Sequence, residues 1–114
     1  MIKRYETGPR MSQSVTHNGT VYLAGQIASG DSVLDQTRAC LGQIDTLLAQ
    51  AGSSRENILQ TTIYLADISD FAQMNQAWDE WIPATHTPAR ATVEAALAAP
   101  EYRVEIVVIA AQTA

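Results

Sequence analysis

Thr87-Pro88-Ala89-Arg90-Ala91-Thr92-Val93-Glu94, followed by Tyr102-Arg103-Val104-Glu105-Ile106-Val107-Val108-Ile109, decides how this chain folds. Both segments read as strands, and each carries a charge where a strand usually carries an apolar residue. Side chains alternate between the two faces of a strand. Tyr102, Val104, Ile106 and Val108 therefore share one face, and Arg103, Glu105, Val107 and Ile109 share the other. Arg90 opens the first strand just after Pro88, whose ring restrains the backbone there. An arginine and a glutamate on paired strands, framed by aliphatic residues, read either as a partly buried ion pair or as a carboxylate anchor and a proton donor.

Upstream, Ser14-Val15-Thr16-His17 and Thr20-Val21-Tyr22-Leu23 flank Asn18-Gly19, the strongest two-residue hairpin signal. A further strand is expected at Ile2–Tyr5. Leu34, Leu41, Ile44, Leu48 and Ala51 recur at helical spacing, which predicts a helix from Ser32 to Ala51 with Asp31 or Ser32 as its cap and Gly52 as its stop. Ile58–Leu65 reads as a strand with Leu59, Thr61, Ile63 and Leu65 on one face. A second helix is expected over Asp70–Trp81, with a stripe of Phe71, Met74, Trp78 and Trp81, ended by Pro83. The order β-β-β-α-β-α-β-β is an α+β pattern: a mixed six-stranded sheet with two crossover helices. Right-handed crossovers running the same way along the sheet place both helices on one face. The last strand is nevertheless apolar on both sides, so the uncovered face wants a partner, and self-association is the commonest solution.

The 114 residues read as one domain, 1–114, with no linker, repeat or low-complexity tract. Twelve acidic and seven basic residues give a net charge of −5. That balance, without a Lys/Arg run, argues against a nucleic-acid partner. One cysteine permits no internal disulfide and suits a reducing, cytoplasmic setting. No apolar run is long enough to span a bilayer, and Met1–Glu6 lacks the apolar core of a signal peptide, so no membrane partner is expected.

Read alone, Arg90 has two roles open to it. Its planar fork matches a carboxylate bidentately, and it also serves as the structural partner of Glu94 or Glu105. Glu105 either orients a water and lends a proton to a departing amine, or neutralises Arg103 or Arg90. Gly25 ends a strand, where a missing side chain lets a ligand approach the backbone, or is a turn glycine before Ser29-Gly30. Asn75 lies off the apolar stripe of its helix and reads as a solvated position. Cys40 reads as a small core residue without a nearby base. His17 and His86 fall beside a turn and in a loop, and no cluster has metal-ligand spacing, so no metal site is expected.

Pro88-Ala89-Arg90 leading into Thr92-Val93-Glu94, then Val104-Glu105-Ile106 with the glutamate fifteen positions after the arginine, resembles the Rid (YjgF) family of enamine/imine deaminases. Gly8-Pro9 before Ser12-Gln13, Gly25-Gln26-Ile27, and Asp70-Phe71 with Asn75 agree in order and spacing, from Gly8 to Ala110. The short link after Gly25-Gln26-Ile27 and the run Asn75-Gln76-Ala77-Trp78 are similar to the YoaB-like branch. The resemblance implies a chorismate-mutase-like fold, a homotrimer with pockets between subunits, and no cofactor. It implies that Arg90 binds a substrate carboxylate and that Glu105 positions a water. It also implies that the backbone near Gly25 contacts the ligand, with Asn75 at the pocket rim.

Departures from the family pattern fall in the same pocket. Met11 or Arg10 stands in place of a tyrosine, Ala24 where many members have serine, and Thr92 where many have cysteine. The expected function is hydrolysis of reactive 2-imino or enamine acids to 2-oxo acids and ammonia, with Arg90 and Glu105 as catalytic residues. Arg90, Gly25, Met11, Ala24, Asn75 and Thr92 would bind the carboxylate-bearing imine. The alternative is a non-catalytic protein that binds small carboxylates such as 2-oxo acids. Ribonuclease activity, claimed for some relatives, fits the acidic balance least.

Overall fold

A computed structural model of the chain describes residues 1–113. Eight elements follow in order: β1 (Lys3–Thr7), β2 (Ser12–His17), β3 (Thr20–Leu23), α1 (Val33–Gln50), β4 (Ile58–Leu65), α2 (Phe71–Trp81), β5 (Ala89–Glu94) and β6 (Val104–Ala111). This is the expected α+β order. The strands form one six-stranded sheet in the order β1-β2-β3-β6-β4-β5. All neighbours are antiparallel except β4 and β5, which are parallel and joined through α2.

The hairpin forms where Asn18-Gly19 requires it, with φ of +50° and +80° at the two residues. Ser32 is the cap of α1: its hydroxyl accepts from the Asp35 amide at 3.0 Å. The helix ends in a Schellman motif. Ser53 N–H donates to Leu48 O at 2.8 Å and Gly52 N–H to Ala49 O at 3.2 Å, with Gly52 at φ +78°.

Both helices pack on one face of the sheet and against each other. Leu41, Ile44 and Leu48 of α1 and Met74 and Trp78 of α2 meet Ile63, Leu65, Val104, Ile106 and Val108 in one buried cluster. Each large aliphatic buried there contributes about 1.5–3 kcal/mol of transfer free energy. A second node ties the helices to the loop before β4. Arg55 holds Asp45 at 2.7 Å, donates to Trp81 O at 3.0 Å, and stacks over the Trp81 ring, whose Nε1 also donates to Asp45.

Three sequence expectations are corrected. Leu59 does not share the core face with Thr61, Ile63 and Leu65. A β-bulge between Ile58 and Gln60 shifts the alternation, so Ile58 is buried and Leu59 is exposed. Phe71 leaves the core stripe of α2 and is 42% exposed. The strands bearing Arg90 and Glu105 are not paired, because β4 lies between β5 and β6.

The opposite face of the sheet carries Val107, Ile109, Tyr22 and Val93, and among the described residues no helix covers it. Tyr22 is 47% and Val93 42% exposed, while the core-facing Val104, Ile106 and Val108 are fully buried.

Candidate functional site

The candidate residues fall into two groups on opposite faces of the sheet. The first is built around Arg90. On β5 it lies opposite the fully buried Thr61, so its side chain turns towards the helix face. There its Nη1 donates to Asn75 Oδ1 at 2.7 Å. The guanidinium sits 5.3 Å from the Trp78 ring centroid and 5.8 Å from that of Phe71. Phe71, Asn75 and Trp78 are spaced four and three apart on α2, so they form one helical stripe aimed at Arg90. Asn75 is thus an arginine partner rather than a solvated position.

Arg90 forms no ion pair among the described residues. Glu94 accepts from the Ile68 amide, and the pairs present are Arg38–Glu80, Arg55–Asp45 and Arg103–Asp70. The structural pairings of Arg90 with Glu94 or Glu105 are therefore not formed, nor is that of Arg103 with Glu105. Burial draws the Arg90 guanidinium below its ordinary pKa, and the field of Asp79 opposes this only in part. An arginine stays charged under such a shift, so this is a partly desolvated cation without an anion. The Oγ1 atoms of Thr92, two residues along the same strand face, and of Thr61 are buried without a hydrogen-bond partner. The box therefore offers a partly desolvated cation to a compact, planar anion.

The second group centres on Glu105 of β6. It lies opposite Tyr64, in the row that continues to Val93 on the uncovered face. Gly25 packs directly on it. A Cβ added at Gly25 would collide with Glu105 Oε2 and lie 2.9 Å from its Cδ, so the carboxylate keeps this position only beside a glycine and would have to swing away from any larger residue. Gly25 and Ala24 form an irregular step between β3 and the bridge of Gln26 to Ile106. Ala24 N–H donates to Gln13 O at 2.9 Å, which sets this step beside the start of β2. Met11 lies just before that strand and is 48% exposed.

Gly25 also borders a groove of about 410 Å³ between α1 and the β1–β2 end of the sheet, lined in part by Glu6, Gln13, Gln26, Gln43 and Thr46. Cys40 lies beneath the Gln26 backbone and donates to its carbonyl at 3.3 Å. Burial, aided by the negative charge of Glu105, pushes its thiol up to about 12, which leaves it unreactive. Among the described residues, no group of three or more His, Cys, Asp or Glu side chains could hold a metal ion, and no helix is long and apolar enough to cross a membrane.

Arg90, Asn75 and Thr92 thus come together, as do Glu105, Gly25 and Ala24, but one chain does not unite the two groups. Sequence reasoning missed Phe71 and Trp78 as walls of the Arg90 box, because it assigned both to the core. Their four-and-three spacing about Asn75 is the signal that could have found them. Thr61 carried no signal beyond its place on a core face.

Residues 1–112 match the family model described as Endoribonuclease L-PSP. The chain is 48% identical over 112 residues to a RutC family protein of Haemophilus influenzae, covering 96% of this chain and 97% of the relative. It is 46% identical over 111 residues to the RutC family protein YoaB of Escherichia coli, again covering 96% and 97%. The fold superposes on a YjgF family protein of Neisseria meningitidis with a TM-score of 0.99 at 44% identity, covering 100% of this chain and 97% of that one.

Proposed function

Because the chain belongs to the Endoribonuclease L-PSP family, with RutC and YjgF proteins among its relatives, we propose that it hydrolyses reactive 2-imino or enamine acids to 2-oxo acids and ammonia. The observation that carries this reading is the unpaired Arg90 guanidinium, held by Asn75 between Phe71 and Trp78. Such a cation is suited to a small carboxylate, which it binds through two parallel charge-assisted hydrogen bonds. Its positive field also favours attack at the adjacent imine carbon.

The working site joins the Arg90 box of one subunit to Glu105 and Gly25 of the next in a homotrimer. The opposite-face placement of the two groups supports this, as does the apolar surface of Tyr22, Val107 and Ile109 that association would cover. Glu105 and the backbone at Gly25 hold a water against the imine carbon. The water adds across the C=N bond as Glu105 takes one of its protons and passes it to the imine nitrogen; the remaining hydroxyl proton then moves through Glu105 to the same nitrogen as the carbonyl forms and ammonia leaves. An imine hydrolyses unaided, so orientation supplies most of what the site must provide. A cytoplasmic setting fits this reading and the single cysteine, which can form no internal disulfide.

A nuclease role finds little support in a chain of net charge −5 whose Arg38, Arg55 and Arg103 are each engaged with carboxylates.

The test is a coupled assay. A pyridoxal-phosphate dehydratase generates 2-iminopropanoate or 2-iminobutanoate in the presence of semicarbazide, which traps the imine. The protein is expected to divert flux from the semicarbazone to the free 2-oxo acid. Ligand binding without any diversion would instead establish the non-catalytic binding reading.

A further inference from the structure

The groove beside Gly25 specifies what the substrate carries beyond its reacting carbon. This inference rests on the function proposed above. Gly25 belongs to both places: it packs on the Glu105 carboxylate and it borders the groove. A chain attached to a carbon held at Glu105 has the groove as its neighbouring space. The groove's volume of about 410 Å³ exceeds what a methyl or ethyl group needs.

The groove mixes hydrogen-bond acceptors with the amide N–H groups of Gln13 and Gln43. Gln26 is 7% exposed, and its Nε2 donates to Gln13 Oε1 and to Ala24 O, both at 3.0 Å. Two acceptors around one terminal atom fix it as the nitrogen, so the amide cannot be flipped. Its Oε1 is left without a partner among the described residues. Thr46 commits its hydroxyl hydrogen to Gly42 O at 3.2 Å, which leaves oxygen lone pairs available. Glu6 adds a carboxylate, and no cationic side chain lines the groove. Such a wall suits a polar group that carries N–H donors, while Glu6, its one charge, disfavours anions.

We propose that this groove receives the substrate side chain and selects imino acids whose side chain ends in a nitrogen donor, such as a ureido, amide or guanidino group. An aliphatic chain of the same length would leave the Gln26 oxygen facing it unpaired, and an anionic one would meet Glu6 without a counter-ion.

Calorimetric titration of the wild-type protein with the product 2-oxo acids tests this without requiring turnover. 2-Oxo-5-ureidopentanoate is expected to bind about tenfold tighter than 2-oxooctanoate, with 2-oxoheptanedioate weakest. In Gln26→Met the ureido preference should vanish, while 2-oxobutanoate, too short to reach the groove, keeps its affinity. The ranking on unmodified protein stands whether or not that variant folds. Equal or tighter binding of 2-oxooctanoate, with 2-oxobutanoate still bound, would overturn the groove assignment alone. No binding of any of the four, 2-oxobutanoate included, would overturn it together with the carboxylate site.

Discussion

Arg90 and Glu105 sit on opposite faces of the sheet, with β4 between the strands that carry them. Arg90 faces the helices and rests against α2, whereas Glu105 faces the side that no helix covers. A mechanism that uses both therefore needs two chains, and the apolar surface around Glu105 is where a second chain gains most by docking.

Association through that face is the first expectation. Ile109→Glu places a charge on the uncovered face without entering the core, so the chain should still fold. Light scattering coupled to gel filtration should find three chains per particle for the wild type and a smaller particle for the variant. A wild-type monomer would remove the inter-subunit site.

Anchor and chemistry should separate by mutation. Arg90→Ala is expected to lose about 2–5 kcal/mol of carboxylate binding, the cost typical of a desolvated charge contact. Arg90→Lys should recover little, because an ammonium lacks the fork and strands Asn75 Oδ1. Glu105→Gln should keep 2-oxobutanoate affinity and slow turnover. Calorimetric titration beside the coupled assay reads both quantities, and unchanged affinity in a folded Arg90→Ala trimer would contradict the anchor.

The Cys40 thiol is pushed up to about 12, first by burial and then by the charge of Glu105. At pH 8 almost none is thiolate, so iodoacetamide should label the native protein very slowly and the unfolded chain readily. Cys40→Ala should retain imine turnover. Rapid native labelling that abolishes activity would contradict this.

Asp45 should make stability depend on acid pH. Its burial alone would raise its pKa, but the bonds from Arg55 and Trp81 outweigh that and hold it below the ordinary carboxylate value. A depressed folded-state pKa means the contribution is fully present above the unfolded value and is lost as pH falls through the lower, folded one. Asp45→Asn should therefore lower stability by about 1–2 kcal/mol at pH 7, after allowance for its partial exposure. The difference should shrink towards pH 2 in urea melts read by circular dichroism.

Much of the architecture was legible because local chemistry and global pattern agreed. Asn18-Gly19 closed its hairpin, Ser32 and Gly52 bounded α1, and the alternation of Val104, Ile106 and Val108 marked the core face of β6. Leu59 was misplaced because a bulge leaves no mark in an alternating pattern. Phe71 was misplaced because an exposed aromatic and a core aromatic share the same helical period. The pairing of the Arg90 and Glu105 strands was misjudged because neighbours in sequence are not always neighbours in a sheet. A parallel partner supplied by a crossover helix took the place between them.

Subunit complementation tests the shared site most directly. Arg90→Ala and Glu105→Gln trimers, each impaired alone, are unfolded together, refolded at equal amounts and assayed for imine hydrolysis above the rates of the two separate variants. If each site takes its arginine from one chain and its glutamate from the next, random mixing rebuilds about a quarter of the interfaces intact. Turnover should then return to about that fraction of wild type. No recovery from mixed trimers that assemble normally would mean that a single chain must supply both residues, and the two-chain site would be wrong.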